Sequence, residues 1–122
     1  MIERAEAIEE NSLEKIFSSK GRIKIVKILA QEGELNISEI AKRANLNYST
    51  TNQHLNFLKK VGLVQEKIFG RIRIFRFKAE NIKAQAIKNL FEIWESTKME
   101  REYYKRNTII HSNPPNKSNI YG

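Results

Sequence analysis

Residues 37–64 read ISEIAKRANLNYSTTNQHLNFLKKVGLV, and three residues in the middle, Asn45, Leu46 and Asn47, constrain the fold more than any other part of the chain. Before them, Ile37, Ile40, Ala41 and Ala44 recur at helical spacing, and Asn36 precedes Glu39 by three residues in the pattern of a capping box. After them, Asn47 caps a helix expected over 48–61, in which Thr51, Leu55 and Leu58 fall at i, i+4 and i+7 and face inward. Asn45 is the residue type of a left-handed helix exit, and Leu46 is read as a core plug. Two helices joined by so short a turn cannot lie antiparallel along their full length. They must cross steeply, in the manner of a helix-turn-helix.

The flanking sequence supplies the rest of a small domain. Residues 2–18 are expected to be helical with a break near Asn11, where Asn11 and Glu14 have capping-box spacing and Leu13, Ile16 and Phe17 form an apolar stripe. A second helix runs through SSKGRIKIVKILAQEG from a cap at Ser19 to a stop at Gly33, with Ile25, Ile28 and Leu29 inward and Lys24 and Lys27 outward. The segment ELN at 34–36 is either one extended turn or a minimal strand. Beyond Gly62 the period changes from helical to alternating. LVQEKIF and RIRIFRFK flank Gly70 and predict an antiparallel hairpin. From Asn81 a long helix is expected, with a discontinuous stripe of Ile82, Ala86, Leu90, Ile93, Trp94, Thr97 and Tyr104. The remainder, HSNPPNKSNIYG, has the composition of a disordered tail.

The expected organisation is therefore mainly α with a small β-hairpin. An N-terminal helix spans 1–18, the helix-turn-helix and hairpin 19–80, a long C-terminal helix 81–107, and a tail 108–122. At 122 residues this is one domain with a modest core. No apolar run reaches the roughly 20 residues of a membrane span, and MIERAEAIEE lacks a signal peptide's apolar stretch. With no cysteine, the sequence excludes disulfides, thiolate metal sites and a cysteine nucleophile, and a cytoplasmic setting is expected. The net charge of +8 is unevenly spread: residues 1–19 set Arg4 and Lys15 against Glu3, Glu6, Glu9, Glu10 and Glu14. Between 59 and 78, by contrast, Lys59, Lys60, Lys67, Arg71, Arg73, Arg76 and Lys78 accompany the single acid Glu66. Such concentration beside a polar helix is the footprint of a polyanionic partner, or else a solvated basic face.

The same stretch carries a resemblance. Ser49, Thr50, His54, Leu55, Leu58, Gly62, Leu63 and Val64 match a Ser-Thr-x-x-x-His-Leu-x-x-Leu-x-x-x-Gly-Leu-Val run, so that residues 15–80 resemble the winged helix-turn-helix of the ArsR-like transcriptional regulators, with related features in MarR-like proteins. The resemblance implies a winged fold, DNA as partner, and N- and C-terminal dimerisation helices. It also marks a departure. Founding members sense metals through cysteines or through His and carboxylates on the last helix, whereas this chain has no cysteine and only His54 and His111. No metal site or cofactor is expected, and no pattern points to a small-molecule effector.

The polar residues of helix 48–61 suit base edges in a DNA major groove. Asn and Gln can pair with adenine through two bonds, while Ser and Thr adapt to several partners. Ser49, Asn52, Gln53 and Asn56 are the expected base readers, with Tyr48 and Thr50 toward phosphate at the helix N-terminus. Solvation alone is the competing explanation for each. Lys59, Lys60 and Lys67 are expected on phosphate. Arg71 and Arg73 at the wing tip share an alternating strand face with Phe75 and Phe77, and are expected to point at DNA while the aromatics anchor the strand. Thr51 reads as a small core residue and His54 as a packed or hydrogen-bonded one. Leu90, Ile93, Trp94 and Tyr104 are candidates for a two-fold homodimer interface, the alternative being that Trp94 caps the chain's own core. The leading function is a dimeric, sequence-specific DNA-binding repressor. A low-specificity architectural DNA binder and a protein-interaction module are the alternatives, and no catalytic constellation suggests an enzyme.

Overall fold

The computed structural model describes residues 13–110. Residues 13–17 are helical, and are followed by α1 (Lys20–Glu32), β1 (Glu34–Asn36), α2 (Ile37–Ala44), α3 (Tyr48–Lys60), β2 (Val64–Phe69), β3 (Ile72–Phe77) and α4 (Ile82–Ile110). The chain divides into two units, Met1–Lys88 and Asn89–Gly122, with the boundary inside α4. The helix expected over 2–18 and the tail lie partly outside the described residues.

Each boundary has a local cause. Ser19 caps α1 by accepting from the Arg22 N–H, and Gly33 ends it at φ 85° with its N–H on the Leu29 carbonyl. Asn36 caps α2 by accepting from the Glu39 N–H at 2.8 Å. The expected box is only half present, because the Glu39 carboxylate instead accepts from Arg43 at 2.8 Å. Asn45 exits α2 in the left-handed conformation at φ 58°, ψ 47°, and Asn47 opens α3 by accepting from Thr50 N–H at 2.7 Å. Between the two caps only Leu46 remains, half-buried rather than fully enclosed. The steep crossing follows from that economy of chain.

The sheet is larger than the expected hairpin. It has three antiparallel strands in the order β1-β3-β2, because ELN pairs with β3 in the register Glu34↔Arg76, Leu35↔Phe75, Asn36↔Ile74. Three residues are a weak strand signal by themselves. What recruits them is the exposed edge of β3, together with a Gly33 carbonyl that accepts from Phe77 N–H at 2.8 Å. Phe69 faces Ile72 across the wing, leaving Gly70 and Arg71 as a two-residue loop. Gly70 has φ 62° and Arg71 does not have positive φ, which is the pattern of a type II′ turn matched to strand twist.

Phe75, Ile25, Leu29, Ile40, Leu55, Leu58 and Leu63 are fully buried and join α1, α2, α3 and the sheet into one core. Val26 and Ala30 are buried in place of the expected Ile28, which is half-buried, as is Ala41. Asn81 accepts from Lys83 N–H at 2.8 Å at the start of α4. That helix buries Ala84 and Ile87, neither of them part of the stripe picked out from the sequence, whereas Ile82 is 83% exposed. It continues to Ile110, so the tail drawn from 108 begins three residues too early. The architecture is a winged helix-turn-helix. No helix among the described residues is long and apolar enough to cross a membrane.

Candidate nucleic-acid interface

The second helix of the turn, α3, is held from beneath and left open above. Thr51 is fully buried, its hydroxyl donating to the Asn47 carbonyl at 2.8 Å, and Leu55 and Leu58 continue the buried line. This leaves Tyr48, Ser49, Gln53, Asn56, Lys59 and Lys60 exposed, with Thr50 and Asn52 half-buried. Ser49, Gln53 and Asn56 share the outward side at helical spacing, a row of uncharged donors and acceptors. The last turn carries Lys59 and Lys60, which favour the negative end of the helix dipole.

The basic region is less free than its composition suggests. Glu66 on β2 accepts from Lys59 Nζ at 2.7 Å and from Arg73 Nε at 2.6 Å. Its side chain is only 10% exposed. These bonds, the one from Arg73 foremost, hold the Glu66 carboxyl below the ordinary carboxylate range and keep it ionised. Lys67 pairs with Glu34 at 3.1 Å, and Arg76 forms bonds to both Gln65 and Glu80. Of the expected phosphate contacts, Lys60 and Arg71 are exposed, while Lys59 and Lys67 hold acidic neighbours.

The expected position of Arg71 and Arg73 on one strand face needs correcting. Arg71 belongs to the turn, so strand alternation does not govern it. Arg73 does share the face of Phe75 and Phe77, with its guanidinium 5.4 Å from the Phe75 ring centre. It does not point away from the body, however. Its Nη1 donates to the Tyr48 hydroxyl at 2.9 Å and the Asn52 Oδ1 at 2.8 Å. The wing therefore reaches back to the exposed helix, a contact invisible in strand periodicity. At the outer end of the wing, Ile68, Phe69 and Ile72 are exposed.

His54 accepts a hydrogen bond from Arg22 Nε at its Nδ1, 3.3 Å away, and burial together with the Arg22 charge lowers its pKa below the usual histidine value. Arg22 also lies 4.4 Å above the Phe57 ring centre and donates to the Lys15 carbonyl. His54 is thus neutral and engaged with the base of the helix. Among the described residues no group of three or more His, Cys, Asp or Glu could hold a metal ion. In the second unit, Leu90, Ile93, Trp94 and Tyr104 are all exposed, Trp94 by 72%.

A family model described as bacterial regulatory protein, arsR family, matches residues 19–66. The cadmium resistance transcriptional regulatory protein CadC of Listeria innocua is 40% identical over 86 residues, covering 70% of this chain and 68% of the relative. Among solved structures, the homodimeric winged helix-turn-helix DNA-binding domain Mb0332 of Mycobacterium bovis aligns with a TM-score of 0.59 at 24% identity, covering 76% of this chain and 83% of that one. The transcriptional repressor BigR of Xylella fastidiosa aligns with a TM-score of 0.55 at 26% identity, covering 72% and 93% respectively.

Proposed function

This chain belongs to the ArsR family of bacterial regulatory proteins, DNA-binding transcriptional regulators built on the winged helix-turn-helix, and from that premise we propose that it is a dimeric, sequence-specific repressor. The observation that carries the reading is the outward face of α3. Ser49, Gln53 and Asn56 are exposed and uncharged, and the residues that hold the helix in place are on its other side. In this reading α3 enters the major groove with Ser49, Gln53 and Asn56 on base edges and Asn52 beside them. Tyr48, Thr50, Lys59, Lys60 and Lys67 serve the phosphates, the two paired lysines exchanging a carboxylate for a phosphate, and Arg71 in the wing turn approaches the minor groove.

The second copy docks through the exposed row Leu90, Ile93, Trp94 and Tyr104 of α4. One such domain reads few base pairs, and a two-fold pair doubles the site. Repression follows most simply from covering a promoter, which needs no further contacts. Cadmium figures in the name of the Listeria relative, but a soft cation calls for thiolate ligands and this sequence has none. Release from DNA is accordingly assigned to something other than a thiolate metal site.

The test is selection of bound duplexes from a random pool, followed by measurement with Gln53→Ala. A two-fold motif with half-site centres roughly 34–36 Å apart is expected. Gln53→Ala should weaken binding to that motif about tenfold, consistent with a lost base contact, while leaving random DNA nearly unaffected. Equal losses on both would instead make the protein an architectural DNA binder.

A further inference from the structure

Arg73 has five N–H donors, and the structure accounts for three of them. Nε donates to Glu66, and the two hydrogens of Nη1 serve Tyr48 and Asn52. The partners come from two separate elements, α3 and β2, while Arg73 itself is on β3. Glu66 is nearly enclosed and is also bonded by Lys59 from the last turn of α3. One ion cluster thus grips both ends of the exposed helix, Tyr48 and Asn52 near its start and Lys59 near its finish. An arginine poised for phosphate keeps the N–H fork of its guanidinium free toward solvent. This one is held by a carboxylate and lies over the Phe75 ring, 5.4 Å from its centre.

We propose that Arg73 is a positioning and specificity-determining residue, fixing the side chains at the start of α3 relative to the wing, with Glu66 as its counter-ion. The inference rests on α3 reading bases. It assigns Asn52 a definite orientation. Arginine offers no acceptor, so the amide atom facing it must be the oxygen, which leaves the amide N–H donors for another partner. An Asn presented in that way offers donors first, which suits acceptor edges such as guanine N7 and O6 better than the two-bond pairing with adenine. Removing Arg73 would free the amide to turn and so change what it reads.

Pool selection and salt-dependent affinity with wild type, Arg73→Ala, Asn52→Ala, the double variant and Glu66→Gln form the test. Arg73→Ala is expected to lose about tenfold in preference at the same base pair that Asn52→Ala affects, with no further loss in the double variant. The slope of log affinity against log salt should be unchanged in Arg73→Ala. Glu66→Gln, which keeps the shape and removes the counter-ion of Arg73, should weaken the same base preference and steepen that slope by about one charge at most, since Lys59 already exchanges its carboxylate for a phosphate on DNA. The proposal is overturned if Arg73→Ala keeps the wild-type motif and lowers the slope by about one, the signature of a phosphate contact. It is overturned equally if Glu66→Gln, folded by circular dichroism, leaves slope and motif unchanged. A wild type that selects no motif would sink the base-reading function itself, a result distinct from either.

Discussion

At the level of single residues, the chain separates groups that hold α3 from groups that α3 displays. Thr51 is the sharpest case. A hydroxyl at a fully buried site would normally be costly, but it donates to the Asn47 carbonyl, which also accepts from the Thr51 N–H at 3.0 Å. Thr51→Val keeps the shape and leaves that carbonyl one partner, so a loss of only about 1 kcal/mol is expected in urea unfolding. Thr51→Ala should cost more, through the void it leaves. Glu66 makes a pH prediction. Its folded pKa is depressed, so its contribution to stability is present above the ordinary carboxylate value of 4.5 and is lost as pH falls through the lower folded value. Acid unfolding curves should therefore differ: below about pH 4.5 wild type loses stability more steeply than Glu66→Gln. Periodicity marked Thr51 as inward from the sequence alone. It gave no sign of the Glu66 cluster, because its members lie on three elements and ion pairing has no sequence period.

Among the elements, the wing and the turn illustrate what local sequence does and does not encode. Caps at Ser19, Asn36 and Asn47, and the left-handed exit at Asn45, are local chemistry and were legible as such. The II′ turn depends on Gly70, where a Cβ would meet nothing within 4 Å. Any penalty for Gly70→Ala is therefore backbone strain alone, expected at about 1 kcal/mol in thermal or urea unfolding, with no change in packing elsewhere. The third strand was ambiguous for the opposite reason. ELN has almost no intrinsic preference, and its extended form is set by the edge of β3, which arrives some forty residues later in the chain. The stripe on α4 does not coincide with the residues that the helix buries. Amphipathicity counts apolar positions without saying what covers them, and the helix buries Ala84 and Ile87 while the larger Ile82, Ile93 and Trp94 stay exposed.

For the molecule as a whole, those exposed residues are the basis of the proposed pairing. Leu90, Ile93, Trp94 and Thr97 recur at i, i+3, i+4 and i+7. Wild type is expected to sediment as a dimer at micromolar concentration, and Trp94→Ala as a monomer or a weakened dimer with at least tenfold lower affinity for a two-fold site. A wild-type monomer under those conditions would remove the interface. The short ladder between β1 and β3 has a different consequence, one of folding order. Because Glu34 meets Arg76, the pairing closes a loop that contains α2, α3 and β2. The turn of the helices and the hairpin need only near neighbours in the chain and can organise early, whereas this closure must wait for both. Once made, it leaves the wing unable to detach without breaking a strand rooted beside α1, so the reading helix and its wing are expected to open and close as one cooperative unit.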